Sequence, residues 1–322
     1  MGMEEDCDSH DLLHSVVKFL LKVKDPIHLS LLGTQPLQDA FAKIAHNQEN
    51  VDFVLSDDPI RMDENPLFAV RRKKNSSLCK GMRLLKENKI NAFISNGNTG
   101  ALMSSAKMYL STFKRILRPA LLALMPTKKK PMAVLDVGAN ISYKVEHLLQ
   151  FALLGISHQR ARGVQNPKVG LLNIGRESIK GTSVLQKTYK ELEQSSKEMG
   201  FTFLGNIEGK ESFEGELDVL VTDGFTGNIF LKTAEGMANL VLDRIQENIF
   251  KKEDQDHLQN LQKHLHYAEY PGALLIGVKG IVVKCHGYST PATIINGIQD
   301  AKEMVQNQFL KKIENSLSQL CP

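Results

Sequence analysis

A short apolar run, a polar glycine-bearing loop and a segment of helical periodicity recur in that order, and this repetition constrains the fold more than any other feature of the chain. "NAFIS" (Asn91 to Ser95) runs into "NGNTG" and "ALMSSAKMYL", "MAVLDV" into "GANISYK" and "VEHLLQFALLG", and "VGLLNI" into "GRESIKGT" and "SVLQKTYKELEQ". The same order takes "VLVT" through "DGFTGN" into "IFLKTAEG", and "GIVVK" through "CHGYST" into "PATIINGIQDAKEMV". Strand-length runs alternating with longer segments of about 3.6-residue period predict an α/β fold, a parallel sheet wrapped by helices. Pro291 stands where a first helical turn tolerates proline. The loops are then expected at the carboxyl ends of the strands, where open α/β sheets place their ligands.

One segment breaks the alternation. "PALLALMP" and "PMAVLDV" flank only "TKKK", too short for a helical crossover, and predict an antiparallel hairpin in a sheet that is therefore mixed. With no repeat of fixed period and no linker, residues 1–322 read as one α/β domain carrying a helical protrusion at about 237–270. "KKEDQD" (Lys251 to Asp256) reads as a join between two helices.

A chain of 322 residues that is 42% hydrophobic and 24% charged has the composition of a soluble globular protein. Its net charge of +4 is too small to argue for nucleic acid. The basic residues cluster at Arg71, Arg72, Lys73 and Lys74, at Lys128, Lys129 and Lys130, and at Lys251 and Lys252. Such runs are ordinarily solvated faces, with an acidic partner as the alternative. Cys7, Cys79, Cys285 and Cys321 show no metal-ligand spacing and follow no secretory leader, so a reducing cytoplasm is expected. No apolar run approaches the ~18 residues of a membrane span, and any membrane contact is expected to be peripheral.

Loops of glycine and small hydrogen-bonding residues between a strand and a helix offer backbone N–H groups at the helix's positive end, a setting for phosphate or carboxylate. Any one of them is equally a turn that uses glycine for its φ angle. No Walker A string, no helix-opening G-x-G-x-x-G and no G-x-S-x-G elbow is present. Single residues stay open in the same way. His286 is a general acid or a satisfied structural group, Asp223 positions a ligand or caps the turn after it, and Lys180 is a phosphate contact or a solvated loop lysine. Asn98, Asn140 and Asn228 each lie near a glycine, which left-handed backbone geometry also explains.

Taken in order, the loop strings carry a resemblance. "FISNGNTGALM", "PALLALMPT", "LDVGAN", "EHLLQFALLG", "NPKVGLLNIGRESIKGT", "FLGNIEGK", "DGFTGNIFLKTAEG" and "HGYST" resemble the fatty-acyl phosphate acyltransferases, the acyl-carrier-protein:phosphate transacylases of bacterial phospholipid synthesis, over roughly Asp57 to Gln306. The resemblance implies a Rossmann-like fold similar to phosphate acetyltransferases and isopropylmalate dehydrogenase. It also implies a homodimer, no metal and no organic cofactor, and transfer of a long-chain acyl group from acyl carrier protein to inorganic phosphate. The product would pass to a membrane glycerol-phosphate acyltransferase, with this enzyme cytoplasmic and peripheral at the inner face of the membrane.

Hydrogen phosphate is already an anionic nucleophile, so such an enzyme must orient it against the carbonyl and stabilise the oxyanion. On this reading Lys180, Asn228 and His286 are the expected catalytic residues. Asn98, Thr99, Gly100, Asn140, Gly175, Asp223, Gly224, Thr226 and Gly227 would surround phosphate and thioester. The acidic carrier would dock on Arg71, Arg72, Lys73 and Lys74 or on Lys128 and Lys129. A short-chain phosphate acyltransferase using coenzyme A and a non-catalytic scaffold that binds the carrier are the competing readings.

Two features depart from the resemblance. Relatives begin with a short strand and an Asp-x-Met-Gly-Gly-Asp loop, whereas Met3 to Asp6 here put Glu4 and Glu5 in place of both glycines. Two carboxylates beside a phosphate site would repel its ligand. The helices that in relatives are thought to touch lipid carry only a narrow apolar stripe, Val241, Ile245 and Ile249, then Leu258, Leu261 and Leu265. That pattern suits a dimer contact or core face as well as lipid.

Overall fold

The computed structural model describes residues 9–20, 27–45, 49–57, 59–247, 272–285 and 290–320. The chain falls into two compact units, Met1–Thr112 with Val278–Leu310, and Phe113–Gly277 with Lys311–Pro322.

The first unit opens with α1 (Ser9–Leu20), β1 (Leu29–Gly33), α2 (Gln35–Ile44), β2 (Val51–Leu55), α3 (Pro66–Arg72), α4 (Ser77–Lys86), β3 (Ala92–Ser95) and α5 (Thr99–Tyr109). The second contains β4 (Ala120–Met125), β5 (Met132–Leu135), α6 (Val145–Ala161), β6 (Lys168–Leu172), α7 (Ser183–Met199), β7 (Thr202–Ile207), β8 (Val219–Val221), α8 (Gly224–Glu247) and β9 (Ala273–Ile276). The chain then returns to the first unit with β10 (Ile281–Lys284) and α9 (Pro291–Gln306), and ends in α10 (Phe309–Leu320).

Within the first unit β1 pairs in parallel with β2, and β3 in parallel with β10. Leu12, Leu13, Val16, Val17 and Leu20 recur at helical spacing on α1 and bury one stripe against Leu31, Val51 and Ile298. Helix starts follow local chemistry. The Asn98 side chain accepts from Ala101 N at the head of α5, and the Thr290 hydroxyl accepts from Thr293 N at the head of α9, where Pro291 opens the helix as expected.

In the second unit the strand order is β9-β4-β5-β8-β6-β7. β4 and β5 form the hairpin expected around "TKKK", with Leu122 opposite Leu135, and β9 lies antiparallel on the other side of β4. The remaining neighbours, β5 with β8, β8 with β6 and β6 with β7, are parallel. Every residue of β5 and β8 is buried, which accounts for their unbroken apolar sequence. The architecture is the mixed, mainly parallel Rossmann-like one that the sequence implies.

Candidate active site

Because β5, β8 and β6 are adjacent and parallel, the loops that follow them leave from the same end of the sheet. Asp136 directly follows β5 and is fully buried. Its Oδ1 accepts from the amides of Leu121 at 3.0 Å, Gly138 at 3.2 Å and Ala139 at 3.0 Å, and Oδ2 accepts from Asn140 N at 2.7 Å and Asn140 Nδ2 at 2.9 Å. Every partner is a donor, the set an ionised carboxylate satisfies. Burial raises the carboxyl above its usual range, and the donations from Ala139, Asn140 and Leu121 oppose the rise. Asn140 Nδ2 also donates to Pro119 O at 2.9 Å, so this amide is committed to shaping the loop.

The loop after β8 closes directly against that one. Gly224 N donates to Asn140 O at 3.0 Å, and a Cβ on Gly224 would stand 2.7 Å from the same oxygen. Asp223 is buried, and its carboxylate turns back to accept from Phe225 N at 2.9 Å, Thr226 N at 3.0 Å and the Thr226 hydroxyl at 2.7 Å. Gly227 N reaches Asp223 O at 2.8 Å. The first-turn donors of α8 are therefore all engaged within the chain, and Asp223 acts as the cap of this helix. Asn228 is exposed, and its side chain lies over Gly138, whose φ of 136° places it in the glycine region.

In the loop after β6, Gly175 is buried with Glu177 and Lys180 on either side of it, and Lys180 is exposed. Gly181, with φ 83°, lies against Asn173, whose Nδ2 donates to Lys180 O at 3.1 Å. Arg176 pairs with Glu211, its Nε donating at 2.7 Å, so its charge is met within the chain. At the start of α7 the Thr182 hydroxyl takes the amide of Leu185 and its carbonyl that of Gln186. The first two amides, of Ser183 and Val184, have no partner among the described residues. Of the helices that follow β8 and β6, α7 is the one with donors to offer an anion.

Three residues that the sequence reading passed over lie in or against the loop after β5. Tyr143 is half-buried in "GANISYK"; burial, then the Asp223 charge, holds its phenol above the ordinary range, while the neighbouring Thr182 side chain opposes the shift. The phenol therefore keeps its proton near neutral pH. Arg118 Nη1 donates to Ser142 O at 2.9 Å, which lays a guanidinium on the loop after β5. His147 is buried, its Nδ1 accepts from Lys144 N at 3.1 Å, and burial, followed by the Arg118 charge, lowers its pKa. Tyr143 and Arg118 have no motif to mark them. Asp136 does: an acid that ends an apolar run before Gly-Ala-Asn is the grammar of an Asx turn.

The first unit holds the other expected loop. Asn98 is buried, and besides capping α5 it donates from Nδ2 to Arg61 O at 3.2 Å and Met62 O at 3.1 Å. Thr99 is the first residue of α5, and Gly100 is tight, since a Cβ there would meet the Pro66 ring at 2.6 Å. His286 lies outside the described residues, as do Met3 to Asp6, Lys251 to Asp256, Ile249, Leu258, Leu261 and Leu265. Among the basic runs, Lys73 donates to Glu64 at 2.6 Å and Pro59 O at 2.9 Å. Lys128 pairs with Glu214, Lys129 with Glu216 and Lys130 with Asp218. Arg71, Arg72 and Lys74 are exposed and form no ion pair among the described residues.

Known proteins sort with these features. A family model described as "Fatty acid synthesis protein" matches residues 1–312. A phosphate acyltransferase of Dictyoglomus turgidum is 40% identical over 85% of this chain and 84% of its own. Another from Chlamydia caviae is 40% identical over 90% and 89%. Among solved structures, a phosphotransacetylase from Streptococcus pyogenes matches with a TM-score of 0.60 at 15% identity over 93% of this chain and 92% of that one. A branched-chain phosphotransacylase from Enterococcus faecalis V583 gives 0.58 at 14% identity over 92% and 95%. Likeness at that identity is one of fold.

Proposed function

Since this chain belongs to the family of fatty acid synthesis proteins whose relatives are phosphate acyltransferases, we propose that it transfers a long-chain fatty acyl group from the thioester of acyl carrier protein to inorganic phosphate. The observation that carries the reading on the structural side is the meeting of the loops after β5 and β8, fastened by the Gly224 to Asn140 bond.

An oxygen of hydrogen phosphate attacks the thioester carbon, the carbonyl oxygen takes the negative charge, and the C–S bond then breaks to leave acyl phosphate and a thiolate that takes a proton. Lys180 and the amides of Ser183 and Val184 would hold the anion, because the first turn of α8 is engaged by Asp223 and Asn140. Asn228, exposed above Gly138, would donate to the oxyanion. His286 is assigned to the leaving thiol. Asn98, Asn140, Asp223 and Thr226 would act by holding loops in place, because their polar atoms are already bonded within the chain.

The carrier protein is proposed to dock on Arg71, Arg72 and Lys74 of the first unit, beside Leu67 and Phe68, which are 45% and 60% exposed. A basic and apolar face of this kind suits an acidic partner with an apolar stripe. Homodimerisation would use the outer stripe of α8, where Phe225, Ile229, Met237, Leu240 and Val241 are each at least 45% exposed. No helix among the described residues is long and apolar enough to cross a membrane. Cytoplasmic placement with peripheral membrane contact, and supply of acyl phosphate to a membrane glycerol-phosphate acyltransferase, complete the reading.

Acyl phosphate formation from palmitoyl carrier protein, palmitoyl coenzyme A and acetyl coenzyme A, each with labelled phosphate, tests it. Fastest turnover of the palmitoyl carrier protein is expected. Preference for acetyl coenzyme A would replace it with a short-chain enzyme, and tight carrier binding without product with a scaffold.

A further inference from the structure

Two strand edges in the first unit face one slot. Among the described residues β1 is paired on one side only, with β2, and β3 on one side only, with β10. A cavity is lined by Leu29 to Leu32 of β1 and by Ala92 to Ser95 of β3, so the other sides of both strands border the same space. Leu29 N donates to Asn50 O at 3.0 Å and Ser56 N to Gly33 O at 2.7 Å, which turns the peptide groups of Leu29 and Gly33 toward β2. Cys285 N donates to Ser95 O at 2.9 Å and turns Ser95 toward β10. Peptide groups alternate in direction along a strand. Ser30, Ala92 and Ile94 therefore aim N–H and C=O into the slot, with no backbone partner among the described residues.

Helices cover the slot on both faces. A Cβ on Gly81 of α4 would meet the Phe93 ring at 2.1 Å, and α4 also touches β1. Ile94, next along β3 and on the opposite face, packs with Leu31 against the apolar stripe of α1. On that side α9 lies against both β3 and α1. The slot thus has the surroundings of an interior strand, a ladder edge to each side and a helix layer above and below.

We propose that this slot receives an extended apolar segment of a partner polypeptide, which pairs with β1 and β3 at once and joins them into one sheet. Open edges are templates for such pairing, and a strand meets backbone donors and acceptors that a lipid would leave unsatisfied. The four residues lining the slot from each edge set the length of the insert at about four or five residues. A strand covered on both faces is built from Val, Ile and Leu. The residues ahead of α1 are ill suited to the place: Met1 to Asp8 include Glu4, Glu5, Asp6 and Asp8, and carboxylates between two apolar layers are costly. The occupant is therefore a separate peptide. This pairing is independent of the phosphate reaction.

A fluorescent peptide with a Val-Ile-Val-Val centre and lysines outside it, titrated into the full chain, tests the pairing. Saturable binding is expected, and hydrogen exchange at the amides of Ser30, Ala92 and Ile94 should slow about tenfold or more. The same peptide N-methylated at alternate residues should bind about tenfold more weakly or worse, because its ladder bonds to one edge are gone. Ala92→Pro removes a donor at the first residue of β3, and Ser30→Pro removes one from β1, both on the side where an edge strand tolerates proline. Each should weaken the peptide by about tenfold, with the melting temperature checked alongside; the methylated peptide makes the same test without asking a variant to fold. Equal affinity of the methylated and plain peptides overturns the proposal, and so does unchanged exchange at those three amides. A full chain that takes no peptide also overturns it, and if the chain lacking residues 1–8 then binds, the slot belongs to this chain's own first residues.

Discussion

The carbonyl oxygen of Asp136 occupies the space where Gly227 would carry a side chain: a Cβ built there stands 2.0 Å from it. The first turn of α8 therefore rests on the end of β5 by backbone contact, and neither partner can yield without moving an element. Gly227→Ala is expected to cost about 2–4 kcal/mol of stability. Gly236→Ala, on the same helix with nothing within 4 Å of the new methyl, should be neutral or gain up to about 1 kcal/mol. Urea titration of both variants checks the contrast.

Lys180→Ala and Asn228→Ala should each lower acyl phosphate formation by about a hundredfold or more, the scale of removing one preset donor, with unchanged melting because both side chains are exposed. The lysine change should appear chiefly in the phosphate KM and the asparagine change in kcat. Wild-type rates in both would remove their proposed roles.

Tyr143→Phe deletes a half-buried hydroxyl in the loop after β5, held above its usual pKa by burial and the Asp223 charge. It should cost about 1 kcal/mol of stability at most and slow turnover roughly tenfold. Steady-state kinetics at saturating phosphate, paired with thermal melts, tell the two effects apart.

Burial pushes His158 down to about 3 from an ordinary value of about 6.5. The unfolded chain takes up a proton that the folded chain refuses. Stability from this group is thus complete above pH ~6.5 and is lost as pH falls toward about 3, by up to about 1.4 kcal/mol per pH unit. His147, lowered in the same sense, adds to the loss. His158→Gln cannot titrate and should flatten the slope of urea midpoints between pH 7.5 and 5.

Reversing Arg71, Arg72 and Lys74 together to glutamate should raise the KM for the carrier-bound substrate severalfold at low salt, and added salt should shrink the difference. Reversal of Lys128 and Lys129 should leave that KM in place, because those charges already face Glu214 and Glu216. The opposite pattern would move the docking face.

The sheet was legible where polarity and turn chemistry are local. The strand, loop and helix series gives β3, β5, β6, β8 and β10 with their helices, and four residues between two apolar runs give the hairpin of β4 and β5. β9 escapes such a reading: "ALLI" is four residues long and gains its identity from pairing with partners such as β4 that are distant in sequence. In the candidate site, the glycines of "DGFTGN" read as anion donors or as turns needing a special φ; Gly224 and Gly227 have no positive φ and are instead positions of close approach. Phosphate and the chain's own Asp136 and Asn140 demand the same absence of a side chain. The run of Lys128 to Lys130 shows the same limit, since its acids arrive from far along the chain and no window of sequence contains both signs.

Those three lysines also decide where the molecule can be felt from a distance. Neutralised in place, they hold the turn between β4 and β5 to the segment that leads into β8, and contribute a latch where an attracting field was expected. On the docking face proposed above, an acidic protein would be drawn by Arg71, Arg72 and Lys74, and the speed of encounter, unlike the chemistry that follows, would turn on that short stretch.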